Sequence, residues 1–103
     1  MLIASWNVNS IRTRLSQVIS WISSAKPDVL CIQETKVIDE EFPYDQFLEL
    51  GYEVKVYGQK SYNGVAIISK IPLINFKKGS AYLPFFCIRH TKNLVIIHAN
   101  EFQ

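Results

Sequence analysis

Cysteine is scarce in this chain: Cys31 and Cys87 are the only two among 103 residues. Both stand in apolar runs, Val29-Leu30-Cys31-Ile32 and Phe85-Phe86-Cys87-Ile88, without the spacing of a zinc site or a disulfide framework. They read as reduced core residues, which points to the cytoplasm. A long hydrophobic run is also lacking; nothing approaches the roughly 18 uninterrupted apolar residues of a membrane span. The opening Met1-Leu2-Ile3-Ala4-Ser5-Trp6-Asn7 has no basic stretch leading into an apolar one, so secretion and membrane insertion are not expected. There is no repeat, low-complexity tract or linker. No sign of charge dominates, with 11 basic residues against 9 acidic. What is present is a 49% hydrophobic, 13% aromatic composition, too apolar for a disordered segment and enough for one small domain over residues 1–103.

The charges are unevenly placed. Residues 1–25 carry Arg12 and Arg14 and no acid, whereas residues 26–59 carry three lysines against eight acids. Residues 60–103 carry five lysines and Arg89 against Glu101. Folding mixes such blocks, so an ordinary solvated surface and a basic face for a polyanion both remain open.

Hydrophobic periodicity sets out the elements. Leu2 to Trp6 reads as a short apolar strand that runs into Asn7-Val8-Asn9-Ser10, residue types that suit a turn and a helix cap. Apolar residues at 11, 15, 18, 19 and 22 form one helical face, and Lys26-Pro27 ends that helix. Asp28 to Gln33 is a near-continuous apolar run, as expected of a strand buried on both faces and parallel to the first. A short helix is predicted within Glu40 to Leu50. Tyr52 to Tyr57 alternates with period two, and Val65 to Ser69 reads as a buried strand, so the two are expected to form a hairpin across Gly58–Gly64. Leu83 to Arg89 and Leu94 to His98 look like further strands.

This order puts Asn7 and Glu34 at the carboxyl ends of two neighbouring parallel strands, where open α/β sheets commonly bind ligands. A carboxylate and a carboxamide are hard oxygen donors of the kind Mg²⁺ takes, alongside retained waters and substrate phosphate oxygens. The plain alternatives stand beside this: Asn7 as a helix-entry residue and Glu34 as a solvated acid. Trp6 and Trp21 read as packing residues.

Three segments, Ser5-Trp6-Asn7-Val8-Asn9-Ser10-Ile11-Arg12, then Pro27-Asp28-Val29-Leu30-Cys31-Ile32-Gln33-Glu34-Thr35-Lys36, then Gly58-Gln59-Lys60-Ser61-Tyr62-Asn63-Gly64-Val65-Ala66-Ile67, resemble successive motifs of the exonuclease III and AP-endonuclease family. That family belongs to the endonuclease/exonuclease/phosphatase superfamily. The resemblance implies an α/β fold, here the N-terminal half of a four-layered α/β sandwich, with one mixed sheet and flanking helices. It implies a Mg²⁺-dependent DNA-repair phosphodiesterase, with Mn²⁺ as an alternative cofactor, acting on double-stranded DNA with abasic or 3′-damaged sites.

Carried over by position, Glu34 is the metal-binding carboxylate. Asn7 is the active-site asparagine that holds the metal environment, and Asn9 has a weaker, water-mediated part in it. Arg12, Lys36, Lys60, Tyr62 and Asn63 fall at positions beside the DNA groove, where cations neutralise phosphates and polar groups donate to them. For Asn9 a helix N-cap is the alternative, and for Arg12 and Lys36 plain solvent exposure.

The resemblance covers residues 1–79, whereas 81–103 form a divergent tail. The family domain is more than twice this length. Its catalytic tyrosine, its Asp-x-Asn segment and its terminal Ser-Asp-His have no counterpart here, and Leu94 to Glu101 lacks the tyrosine and Pro-Asn turn expected there. His90 and His98 read as structural. The chain is therefore expected to be a fragment that is inactive alone, since one carboxylate and one asparagine supply only part of what phosphodiester hydrolysis needs. A sandwich reduced to one sheet exposes an apolar face and an open edge, so self-association or docking of a complementing C-terminal fragment is a further expectation. The alternative from another class is a non-catalytic remnant or module with residual affinity for nucleic acid or a partner protein.

Overall fold

The apolar run at the amino terminus forms strand β1, Leu2–Asn7, and its alternation decides which way each side chain faces. The computed structural model describes residues 2–58, 64–72 and 95–98. After β1 come helix α1 (Ile11–Ala25), strand β2 (Val29–Gln33), a 3-10 turn (Asp39–Glu41), helix α2 (Tyr44–Glu49), and strands β3 (Glu53–Tyr57), β4 (Val65–Ser69) and β5 (Val95–His98). The five strands make one mixed sheet in the order β3-β4-β2-β1-β5. β1 is parallel to β2 and to β5, while β4 runs antiparallel to both β2 and β3. The predicted parallel pair and the predicted hairpin are both present. The predicted strand at Leu83 to Arg89, together with Cys87 and His90, lies outside the described residues.

Side chains at even positions of β1, β2 and β4 (Ala4, Trp6, Leu30, Ile32, Ala66 and Ile68) face the main core, where Ile11, Val18 and Ile22 of α1 meet them. Leu15, Ile19 and Trp21 pack at its margin, so the helical periodicity at 11, 15, 18, 19 and 22 is the buried stripe of α1. Trp6 is buried and meets Trp21 edge-on at 6.0 Å between ring centroids, a packing role for both. Odd positions build the opposite face, where Ile3, Val29, Cys31 and Ile67 form a second apolar cluster. Every residue of β4 is buried, whereas all five residues of β3 are half-buried, as suits an edge strand whose Val54 and Val56 reach the core.

α1 starts at Ser10, whose Oγ accepts the Thr13 N–H at 3.3 Å, and not at Asn9. It ends where Lys26 turns left-handed at φ 49° and donates its N–H to the Ile22 carbonyl, with Pro27 next. The predicted helix between Glu40 and Leu50 is interrupted. Pro43 forces Phe42 into extended geometry, at φ −68° and ψ 136°, so a 3-10 turn precedes the helix and a separate six-residue α2 follows.

Two polar ties bind the amino ends of the strands to the turn before β2. Leu2 N–H donates to Asp28 Oδ2 at 2.7 Å, and the buried Tyr52 hydroxyl donates to the Pro27 carbonyl at 2.7 Å. Burial, and secondarily the charge of Asp28, raise the Tyr52 pKa above its ordinary 10.0. The folded state therefore holds this proton more tightly than the unfolded chain. Stability from this group is complete below about pH 10 and is lost as pH rises through the raised value. Urea unfolding at about pH 8 and about pH 11 is expected to show a smaller alkaline loss for Tyr52→Phe than for the natural chain. Equal losses would rule the tyrosine out as their source.

Candidate functional site

On the odd-numbered face of the sheet the chemistry changes along the strands. The apolar Ile3, Val29 and Cys31 give way, toward the carboxyl ends of β1 and β2, to Ser5, Gln33 and Asn7. Gln33 Nε2 donates to Ser5 Oγ at 3.0 Å and to the Cys31 carbonyl at 3.2 Å. Asn7 and Gln33 are register partners, so Glu34, the next residue, leaves β2 beside the end of β1.

The two chain exits are stitched together through the backbone. Val8 N–H donates to the Gln33 carbonyl at 3.0 Å, Ser10 N–H to Glu34 at 2.9 Å, and Ile11 N–H to Thr35 at 3.0 Å. Thr35, itself buried, donates its N–H to the Gly64 carbonyl at 3.1 Å, which fastens this turn to the start of β4. Gly64 sits at φ 90°, where a residue without Cβ is unstrained. Four non-glycine residues here are also left-handed: Asn9 at φ 47°, Ser10 at 92°, Glu34 at 56° and Lys36 at 59°. Asparagine tolerates that region, but for glutamate and lysine it costs about 1–2 kcal/mol each, a cost that the stitching bonds offset. Such strain gathers where side chains must be aimed.

The aimed groups are Asn7, Asn9, Glu34 and Lys36. Asn7 Nδ2 donates to Glu34 Oε2, while Asn7 Oδ1 accepts the Asn9 N–H at 3.1 Å. These two bonds fix the sense of the amide, because flipping it would set oxygen against carboxylate and NH₂ against N–H. Asn7 thus orients the carboxylate through its amide nitrogen. Lys36 Nζ donates to Asn9 Oδ1 and lies 4.0 Å from Glu34 Oε1. The carboxylate is half-exposed. It is the only acid in this group of four, and a divalent cation held by it would draw its other ligands from water and phosphate oxygens, which suits the habits of Mg²⁺. Among the described residues no three His, Cys, Asp or Glu side chains gather closely enough to form a metal cluster.

The structure brings Asn7, Asn9, Glu34 and Lys36 together, but it does not bring Arg12 to them. Arg12, in the first turn of α1, pairs on the surface with Glu41 of the 3-10 turn, both side chains about half exposed. An exposed pair of this kind contributes about 0–1 kcal/mol. Lys60, Tyr62 and Asn63 lie outside the described residues. β5 pairs with β1 so that His98 stands opposite Ser5 in the register. Thr35 and Gly64 were not anticipated as parts of the site. The signal that could have found Gly64 is a glycine directly before the apolar run Val65-Ala66-Ile67-Ile68.

Comparison with known proteins matches residues 4–101 to the Endonuclease/Exonuclease/phosphatase family. Exodeoxyribonuclease III of Haemophilus influenzae is 44% identical over 70 residues, 68% of this chain and 26% of that protein. An exodeoxyribonuclease of Bacillus subtilis is 36% identical over 75 residues, 68% of this chain and 28% of the relative. The chain spans about a quarter of the length of these curated relatives. Among solved structures, an AP endonuclease from Archaeoglobus fulgidus superposes with a TM-score of 0.66 at 55% identity, covering 68% of this chain and 28% of that one. The 3′ phosphatase NExo from Neisseria, bound to product DNA hairpin, gives 0.75 at 39% identity, over 82% of this chain and 33% of its own. The mixed sheet with α1 on one face is therefore the α/β fold of these nucleases, and the chain belongs to the endonuclease/exonuclease/phosphatase family, among exodeoxyribonucleases III and AP endonucleases.

Proposed function

We propose that this chain carries part of the active centre of an exonuclease III-like, Mg²⁺-dependent DNA phosphodiesterase, of AP-endonuclease or 3′–5′ exonuclease type. In this reading Glu34 holds the cation and Asn7 aims its carboxylate. The observation that carries it is the Asn7 to Glu34 hydrogen bond at the carboxyl ends of two parallel strands, with Glu34 in a strained left-handed backbone. Bound there, Mg²⁺ or Mn²⁺ would polarise a phosphoryl oxygen and offset the charge of an in-line displacement. The Asn7 amide keeps the carboxylate turned toward the open end of the sheet, and Asn9 acts through water.

Arg12, Lys36, Lys60, Tyr62 and Asn63 are assigned to phosphates of double-stranded DNA carrying abasic or 3′-damaged sites. Residues 1–79 are the family-like part in this reading and 81–103 a divergent tail, although the family match itself extends over residues 4–101. Cytoplasmic location goes with it.

These 103 residues are not expected to incise DNA by themselves. Among the described side chains the site's donors comprise one carboxylate and amides, whereas metal, activated water and leaving-group stabilisation are all required. A non-catalytic module with residual nucleic-acid affinity is the second reading, favoured by the lack of a three-ligand cluster among the described residues.

The test is an NMR titration of the purified chain with Mg²⁺ and Mn²⁺, beside cleavage of a duplex bearing one abasic site in Mg²⁺ and in EDTA. The cations are expected to perturb resonances of Asn7 and Glu34, Glu34→Gln to abolish that response, and no incision to occur. An equal response in Glu34→Gln would overturn the metal assignment. Metal-dependent incision lost in the variant would overturn the inactivity of the chain alone.

A further inference from the structure

We propose that Lys36 is the built-in occupant of the cation position, so that its ammonium must leave before a divalent cation enters. The inference rests on the reading of Glu34 as the cation-holding carboxylate. Lys36 Nζ donates to Asn9 Oδ1 and stands 4.0 Å from Glu34 Oε1, so one ammonium faces both oxygens assigned to the metal environment. Asn7 holds the other carboxylate oxygen, Oε2, which leaves Oε1 turned to the lysine side. Hard oxygens that attract Mg²⁺ also satisfy an ammonium, and the two cations repel at this separation.

The placement of Lys36 is built into the backbone. Glu34 and Lys36 are both left-handed, at φ 56° and 59°, with the buried Thr35 between them tied to Gly64. That alternation sends both side chains to the same outer side of the turn while Thr35 points inward. The Lys36 side chain is 31% exposed, so its long stem can swing to solvent without unpacking a core. Lys36 thereby balances the carboxylate while the site lacks a metal. Once displaced, the same ammonium is available to an anion such as a phosphate.

Removing the ammonium should tighten divalent-cation binding. One unit charge at about 4 Å in a largely aqueous setting corresponds to a change of about three- to tenfold in the binding constant. The experiment is Mn²⁺ binding to the intact chain, followed by water-proton relaxation enhancement, for the natural sequence, Lys36→Met, Lys36→Arg, Glu34→Gln and the double variant Glu34→Gln/Lys36→Met. Thermal unfolding checks that each variant is folded. Lys36→Met is expected to bind Mn²⁺ about three- to tenfold tighter. Lys36→Arg, which keeps the charge, should bind like the natural chain, and the double variant should lose the gain.

Unchanged or weaker binding in Lys36→Met, with binding still abolished by Glu34→Gln, overturns the role of Lys36 and leaves the reading of Glu34 intact. Equal tightening in Lys36→Arg also overturns it, because charge would not be the cause. Natural-like binding in Glu34→Gln overturns the reading of Glu34 itself, and the inference with it.

Discussion

Phe47→Ala is expected to lower folding stability by about 3–5 kcal/mol, read from equilibrium urea unfolding. The ring is fully buried, stacks on Phe42 at 5.7 Å between centroids, and sits in the main core with Phe42 and Tyr52. Helix α2 is only six residues long, too short to persist through its own hydrogen bonds, so the buried ring is what holds it to the sheet. The Phe47 carbonyl also accepts the N–H groups of Leu50 and Tyr52 at 3.1 Å, which turns the chain from α2 into β3. Loss of the side chain leaves a cavity beneath this turn and loosens both elements. A domain of this size is stable by about 5–15 kcal/mol, so the change should be visible as a large fall in urea midpoint. Leu48→Ala, one residue on and 53% exposed, serves as the control and should fall within about 0.5 kcal/mol of the natural chain. A Phe47→Ala loss no larger than that of Leu48→Ala would mean that α2 is not anchored as described.

Gly58→Ala is expected to cost about 1–3 kcal/mol and to disturb the candidate site as well. A Cβ at this position would fall well inside contact distance of the Val37 carbonyl oxygen and 2.9 Å from the Asp39 backbone nitrogen. Neither obstacle is a side chain that can rotate away, so the backbone of 37–39 must shift. Gly58 N–H also donates to Asp39 Oδ1 at 2.5 Å, a bond the shift would stretch. Val37 follows Lys36 directly, so displacement is transmitted to the Lys36 contact with Asn9. The expected signature is a lower unfolding midpoint together with changed amide resonances at Asn9 and Lys36. Natural-like stability with unchanged resonances at both would show that the close approach of Gly58 does not constrain this turn.

Much of the scaffold was legible in the order of residue types. The apolar stripe of α1, the double-sided burial of β2 and the β3–β4 hairpin follow from periodicity, because a side chain's exposure is set by its angular position on a helix or its face on a strand. The position of Asn7 and Glu34 at adjacent strand ends was legible for the same reason: a strand, a helix and a second strand can close only with those ends together. A short helix within Glu40 to Leu50 was legible as well, but the break at Pro43 that sets its start was not drawn from the sequence. The missing N–H and the extended geometry of Phe42 cause that break.

Side-chain partners at the candidate site depended on the tertiary structure. Nothing in the letters Gln33-Glu34-Thr35-Lys36 marks Glu34 and Lys36 as left-handed, since glycine or asparagine would be the usual sign, and the bonds that hold them so come from Ser10 and Gly64, far away in the chain. That Glu41 is the partner of Arg12 was likewise not legible, because the path of the 3-10 turn is what places the two side by side. The pairing of β5 with β1 joins residues more than ninety positions apart, which local pattern does not encode. The sequence by itself determined which residues are helix, strand and core, because those follow from local periodicity and burial. Which carboxylate meets which amide and which ammonium was decided only when distant backbone hydrogen bonds fixed the angles from which the side chains depart.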